Sequence, residues 1–187
     1  GRRPPADLVR ELARDLGLPR KRVQAGLRDL VAAGELAYTY EHGRTFLEPS
    51  FDRPVRVSDR IVLSPPGRAF RPCPGDALIR IMPGAAFGAG RHPTTRLALK
   101  AIDFVLGRAG EALTGPGRRV LDIGCGSGAL ALAAVKLGIE TGLAVDIDPC
   151  AVAEARANVA LNGLGGRIVV CDRAAEAIDG SYQLVAA

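Results

Sequence analysis

No stretch of this chain approaches the roughly 20 consecutive apolar residues that a membrane helix requires, and its opening, Gly1-Arg2-Arg3-Pro4-Pro5, lacks the apolar run of a signal peptide. A membrane partner is excluded on that basis, and a cytoplasmic location is the expectation. Cysteine is scarce too. Cys73, Cys125, Cys150 and Cys171 form no C-x-x-C pair, so neither a zinc site nor a disulfide framework is indicated, and reduced, mostly buried thiols are expected. An initiating methionine is missing, and Tyr182–Ala187 reads as a buried strand that stops without the turn or helix that should follow. An internal fragment of a longer protein is therefore expected.

What is present suits a globular protein: 48% of the 187 residues are apolar and 24% charged. That length allows one full domain plus a small one, or two modest ones, and two are expected. The net charge of +5 is unevenly placed, with nine Arg/Lys against three Asp/Glu in residues 51–100 and seven against ten in residues 101–187. A basic middle of this kind can attract nucleic acid or an acidic protein surface, or form a solvated face.

Along residues 1–50 a helical period runs through Leu8, Val9, Leu12, Ala13 and Leu16 and stops at Gly17. A second helix starts with Pro19 in its first turn, carries Val23, Leu27, Leu30 and Val31 on one stripe, and closes at Gly34. Leu36–Tyr40 and Thr45–Leu47 read as strands flanking a hairpin tip, Glu41-His42-Gly43-Arg44. Helix, turn, helix and wing is the order of winged helix-turn-helix domains, which residues 6–48 resemble in pattern. That resemblance makes the second helix the recognition helix and Arg20, Lys21, Arg22, Gln24 and Arg28 its candidate contacts to nucleic acid. A protein-packing domain is the other reading, because seven acids nearly offset its nine Arg/Lys. Residues 51–83 read as a Pro- and Arg-rich connector with short strands at Arg60–Leu63 and Ala77–Met82. From residue 84 to 187 helices at Thr94–Leu106, Ser127–Leu137 and Pro149–Asn162 alternate with strands at Arg119–Ile123, Gly142–Val145, Arg167–Val170 and Gln183–Ala187. That alternation predicts an α/β fold with a parallel sheet covered on both faces.

Chemistry concentrates at Val120-Leu121-Asp122-Ile123-Gly124-Cys125-Gly126-Ser127-Gly128, a buried strand running into a glycine-rich turn and then a helix. Missing side chains let a ligand approach the backbone, and free N–H groups at the helix start favour an anionic group such as a methionine carboxylate. The spacing is G-x-G-x-G at Gly124, Gly126 and Gly128, not the G-x-G-x-x-G of dinucleotide enzymes. Asp122 stands two residues before the first glycine, where class I methyltransferases place an acid near the methionine amino group. At the end of the next strand Asp146 is placed to accept both hydroxyls of a ribose, a role that NAD would fit equally. Asp148 reads as the cap of the helix that begins at Pro149. Asp172, after the third strand, is either an acceptor for the adenine amine or a surface aspartate.

Pro83-Gly84-Ala85-Ala86-Phe87-Gly88-Ala89-Gly90-Arg91-His92-Pro93-Thr94-Thr95 resembles the P-G-x-A-F-G-T-G-x-H-P-T-T signature of the PrmA-type methyltransferases, which modify ribosomal protein L-eleven. The likeness runs from about residue 53 to 187 and includes Val120–Gly128, Asp146–Pro149 and Ala155–Gly163. It implies a Rossmann-like class I methyltransferase with a truncated parallel sheet and S-adenosylmethionine as cofactor, and the pattern of residues 6–48 puts a small winged-helix-like α+β domain in front of it. It further implies that the segment before the first strand folds over the cofactor, with Thr95, or Thr94, in contact. Phe87 between glycines can cover an adenosine or sulfonium. His92 is a candidate base or a structural residue. Two departures stand out: Ala89 replaces a threonine, and the substrate-recruiting N-terminal module of the family is α/β, unlike residues 1–50.

Methyl transfer from a sulfonium is an in-line displacement in which the enzyme aligns the reactants and excludes water, and no metal is required. In relatives the acceptor-orienting groups begin with an asparagine after the fourth strand, so the resemblance places the catalytic residues just after Ala187. The expected activity is protein N-methylation of a lysine or α-amine on a ribosomal protein. An RNA methyltransferase recruited by the N-terminal domain, or a donor-sensing nucleic-acid-binding module without catalysis, are the alternatives.

Overall fold

A computed structural model describes residues 3–41, 43–84, 86–90 and 92–187, and the chain forms two compact units, Gly1–Arg53 and Pro54–Ala187. His42 of the hairpin tip and Ala85 and Arg91 of the signature lie outside the described residues.

In the first unit, helices α1 (Pro5–Leu16) and α2 (Arg20–Ala32) precede an antiparallel hairpin of β1 (Leu36–Glu41) and β2 (Arg44–Pro49). Most of the two helical stripes packs as the period predicts: Val9, Val23 and Leu27 bury against Leu47 of the hairpin, with Leu8, Leu12, Ala13 and Val31 around them, whereas Leu16 and Leu30, at the edges of the stripes, stay exposed. Arg20, Lys21, Arg22, Gln24 and Arg28 stand on the exposed face of α2.

The second unit holds two sheets. β3 (Val55–Arg56), β4 (Ile61–Ser64) and β5 (Ala77–Arg80) form a small one, with β4 buried along its length, antiparallel to β3 and parallel to β5. The other is all parallel, in the order β8-β7-β6-β9, where β6 is Gly115–Ile123, β7 Ile139–Val145, β8 Ile168–Cys171 and β9 Leu184–Ala186. Helices α3 (Pro93–Ala109), α4 (Ala129–Lys136) and α5 (Pro149–Leu161) complete the unit. The segment read as a connector shares this core. Val57, Ile61, Leu63 and Ile79 join one buried cluster with Leu99, Ile102, Leu106, Val120, Ala144 and Val159. Alanines at 129, 131, 133 and 134 let α4 sit at the centre of that cluster, since small side chains permit close backbone approach.

Several details differ from the sequence reading. Helix α4 starts at Ala129, not Ser127, because Ser127 and Gly128 belong to the turn, Gly128 at φ 77°. β6 and β7 begin earlier, at Gly115 and Ile139, whose pairing is separated from the rest of the ladder by an irregularity. The thiols are not mostly buried: Cys125 is buried and Cys171 half-buried, but Cys73 and Cys150 are exposed. Cys73 sits among turns and Cys150 in the first turn of α5, where no packing neighbour covers them. Among the described residues no helix is long and apolar enough to cross a membrane.

Candidate functional site

The chain runs from β6 through β7 to β8 on one side of β6 and then places β9 on the other. Open parallel sheets bind ligands where the strand order reverses in this way, at the carboxyl ends of the strands. A cavity of about 110 Å3 lies there, walled by Gly124 and Cys125 after β6, Ala129 and Leu130 of α4, Thr94, Thr95 and Ala98 of α3, Phe87 and Gly88 of the signature segment, and Ala187 after β9. Segments far apart in sequence thus converge on one corner. A whole adenosine-sized ligand needs roughly 300 Å3 or more, so this cavity accommodates one end of such a ligand.

Asp146 closes the corner from β7. Its Oδ2 accepts the Gly126 N–H at 2.8 Å and its Oδ1 the Asp148 N–H at 3.0 Å. A carboxylate has about four lone-pair directions, so both oxygens retain capacity for a diol. Asp148 caps α5 through the Cys150 N–H at 2.9 Å, as its position before Pro149 predicts.

Asp122 lies beneath the turn. It is 1% exposed, and its Oδ2 accepts the Ala131 N–H at 2.9 Å, which pins the first turn of α4 to the end of β6. Its Oδ1 and the Ser127 Oγ are buried without a hydrogen-bond partner among the described residues. Burial pushes the Asp122 carboxyl up to about 7, against the pull of the Ala131 N–H, with the nearby charge of Asp146 adding to the rise. Burial likewise pushes the Cys125 thiol up to about 12.

Free N–H groups expected at the turn are in fact largely spent. Those of Cys125, Gly126, Ser127 and Gly128 go to Val145 O, Asp146, Phe87 O and Cys125 O. The reason is the signature segment itself, whose Phe87 carbonyl accepts the Ser127 N–H at 2.7 Å. Contact is so close that a Cβ on Gly126 (φ 51°) would overlap that carbonyl oxygen. Only glycine fits there.

Thr95 is buried at 5% exposure on the wall of the cavity, and Thr94 stands beside it. Phe87 also lines the wall, yet remains 61% exposed, its ring 5.0 Å from that of His92. His92 is the N-cap of α3: its Nδ1 accepts the Thr94 N–H at 3.3 Å and lies 2.7 Å from Thr94 Oγ1. His92 thus has a structural task at the start of α3, performed through Nδ1. Asp172 is exposed at the end of β8. Sequence reasoning missed Gly88, Ala98, Cys125, Ala129, Leu130 and Ala187 as wall residues. Small and apolar side chains carry no chemical signal of their own, and only the topology gathers them.

Another cavity in this unit, about 840 Å3, lies away from this corner, between the turn after β3 and the outer face of α3. Two of its arginines are already spent, Arg56 in an ion pair with Asp76 and Arg60 in one with Asp103. Lys100 and Arg108 line it as well, so it is a charged surface cavity set apart from the strand ends.

A parallel sheet of this order, with a G-x-G-x-G turn after its first strand and an acid closing the second, defines a Rossmann-like class I methyltransferase fold. The sequence model of the family described as "Ribosomal protein L11 methyltransferase (PrmA)" matches residues 49–187, and the chain belongs to that family. Among curated relatives, the ribosomal protein L11 methyltransferase of Geobacter metallireducens is 46% identical over 134 residues, covering 72% of this chain and 41% of that protein. The one from Symbiobacterium thermophilum is 36% identical over 173 residues, covering 88% and 54%. The crystal structure of ribosomal protein L11 methylase from Lactobacillus delbrueckii subsp. bulgaricus matches with a TM-score of 0.58 at 33% identity, over 71% of this chain and 64% of that one. The chain thus spans about half or less of the length of these curated relatives.

Proposed function

We propose that residues 54–187 bind S-adenosylmethionine and form the donor half of a protein N-methyltransferase acting on an amine of a ribosomal protein. The observation that carries this reading is the convergence of the glycine turn, Asp146, Thr95 and Phe87 on the corner where the strand order reverses. The residues fit the donor chemically. Asp122 Oδ1 and Ser127 Oγ are buried polar atoms without partners, as expected where a methionine amino group completes the site. Asp146 retains acceptor capacity for the two ribose hydroxyls.

When bound, the donor supplies a methyl group on a sulfonium sulfur. The chain's own part is to hold and to exclude. Gly124–Gly128 bring the backbone against the ligand, Thr95 and Leu130 wall its methionine end, Phe87 covers it from solvent, and Asp146 fixes the sugar. The wall formed by Ala187 puts the end of β9 at the same cavity. An acceptor amine would be oriented there, by residues following β9, and Asp172 would meet the adenine amine. Residues 1–50 would act as a winged-helix-like recruiting domain in place of the usual N-terminal module. The setting would be cytoplasmic.

Calorimetry with S-adenosylhomocysteine and then with NAD tests the reading: binding of the first only supports it, and binding of NAD only refutes it. Transfer of labelled methyl to ribosomal protein but not to RNA, in the protein extended to the length of its relatives, tests the acceptor.

A second reading has one observation in its favour. Arg20, Lys21, Arg22 and Arg28 lie exposed on α2, and none forms an ion pair among the described residues. Such a row suits a phosphate backbone, and would recruit RNA as substrate or make the chain a donor-sensing nucleic-acid binder. Affinity for mixed-sequence nucleic acid that falls steeply with salt would support it.

A further inference from the structure

β5 is an edge strand in the order β3-β4-β5. Backbone N–H groups on an extended chain alternate in direction. The Ile81 N–H turns back to Ser64 O at 3.0 Å, so those of Arg80 and Met82 face away from the sheet. Unpaired edge groups need partners, and those of Arg80, Met82 and Ala86 are met by one helix stripe. Asn162, at the C-cap of α5, accepts the Arg80 N–H with Oδ1 at 2.9 Å and donates from Nδ2 to Arg80 O at 2.7 Å. Asn158 accepts the Met82 N–H with Oδ1 at 2.9 Å. Glu154 accepts the Ala86 N–H with both carboxylate oxygens, each at 3.1 Å.

Those three side chains stand four residues apart, on one face of the helix. Four helical residues advance about 6 Å and two extended residues about 6.6 Å, so the Asn162 and Asn158 rungs stay in step with Arg80 and Met82, while the Glu154 rung meets the chain four residues further on, at Ala86. At Gly84, between the second and third contacts, a Cβ would displace the Glu154 carboxylate. Asn158, wholly buried, also donates from Nδ2 to Ser127 O at 2.9 Å, which ties the same stripe to the glycine turn. Ser127 in turn donates its N–H to Phe87 O.

We propose that Glu154, Asn158 and Asn162 are positioning residues: a polar ladder on α5 that fixes the register of Arg80–Phe87 and so delivers the signature segment onto the glycine turn. Glu154 is the rung that acts on the signature segment itself. Its carboxylate selects no ligand. It determines where the Phe87 carbonyl and ring stand over the corner.

NMR hydrogen exchange on the ligand-free chain tests the ladder in Glu154→Ala and Glu154→Gln. In Glu154→Ala the Ala86 and Ser127 amides should exchange at least about tenfold faster, while core amides of β6 and β7 hold their rates. Glu154→Gln keeps an acceptor oxygen and should restore most of the protection. Calorimetry with S-adenosylhomocysteine should show affinity weakened about tenfold in the alanine variant and less than about threefold in the glutamine variant. This second arm rests on the proposed donor site: a wild-type chain that fails to bind would refute that site, and the exchange rates would still decide the ladder. Unchanged Ala86 protection in Glu154→Ala, or equal effects of Ala and Gln, would overturn the ladder. Faster exchange with unchanged affinity would overturn its link to the donor corner.

Discussion

Asp122→Asn should remove a pH dependence of stability that the wild-type chain carries between about pH 4 and pH 7. The Asp122 carboxyl rises from its ordinary 3.8 to about 7 because it is buried with one oxygen bonded to the Ala131 N–H and the other without a partner. The unfolded chain releases this proton above about pH 4, whereas the folded chain holds it until about pH 7. Folding therefore takes up a proton in that window, and stability falls as pH rises through it. Three pH decades at about 1.4 kcal/mol each set a ceiling of about 4 kcal/mol on the loss. Asparagine keeps an acceptor for Ala131 and adds an unpartnered amide, which costs about 1–3 kcal/mol at any pH. The variant should then match or fall below wild type near pH 5 and gain on it by about 2–3 kcal/mol between pH 5 and pH 8. Urea titrations followed by circular dichroism measure this, since the chain has no tryptophan to report by fluorescence. Parallel stability curves for the two proteins across this range would show that the reasoning from burial is wrong.

Gly126→Ala should force the Phe87 carbonyl off the turn and place a side chain at φ 51°. A stability loss of about 1–3 kcal/mol in urea and at least tenfold weaker S-adenosylhomocysteine binding by calorimetry are expected, and an unchanged affinity would refute the close approach. Asp103 is 7% exposed and accepts the Arg60 backbone N–H at 3.1 Å and the Arg60 Nε–H at 2.6 Å. Burial works to raise its carboxyl, but the bonds from Ser58 and Arg60 prevail and hold it below the usual range. Its contribution is present above the ordinary carboxylate value and fades as pH falls below it, so Asp103→Ala should cost about 1–3 kcal/mol at neutral pH and less in acid, read from urea midpoints. Charge reversal of Arg20, Arg22 and Arg28 to glutamate should leave S-adenosylhomocysteine affinity unchanged. In gel-shift titrations it should abolish any salt-sensitive nucleic-acid binding, and retention of that binding would remove α2 as the contact surface.

Much of this architecture is legible along the chain because its signals are local. The stripe of Val9, Val23 and Leu27, the apolar run into Gly124-Cys125-Gly126-Ser127-Gly128, and Asp148 before Pro149 each reveal an element through spacing or capping within a few residues. What the sequence conceals is non-local. The two-residue β3 has too short a pattern to read, yet it pairs with β4. Asp122 reads as a ligand contact by position, and nothing near it in the sequence tells that its Oδ2 also serves the backbone of α4. The turn N–H groups look free until the Phe87 carbonyl, supplied from before α3, is seen to occupy one of them. Glu154 carries no signal at all, because its partner Ala86 is far along the chain and a helix surface glutamate is ordinary.

A crystal structure with S-adenosylhomocysteine bound to residues 54–187 tests the donor site most directly. The ribose hydroxyls should lie within hydrogen-bond reach of both Asp146 oxygens, and the methionine end should enter between Gly124 and Thr95. A ligand bound elsewhere, or a sugar out of reach of Asp146, would contradict it.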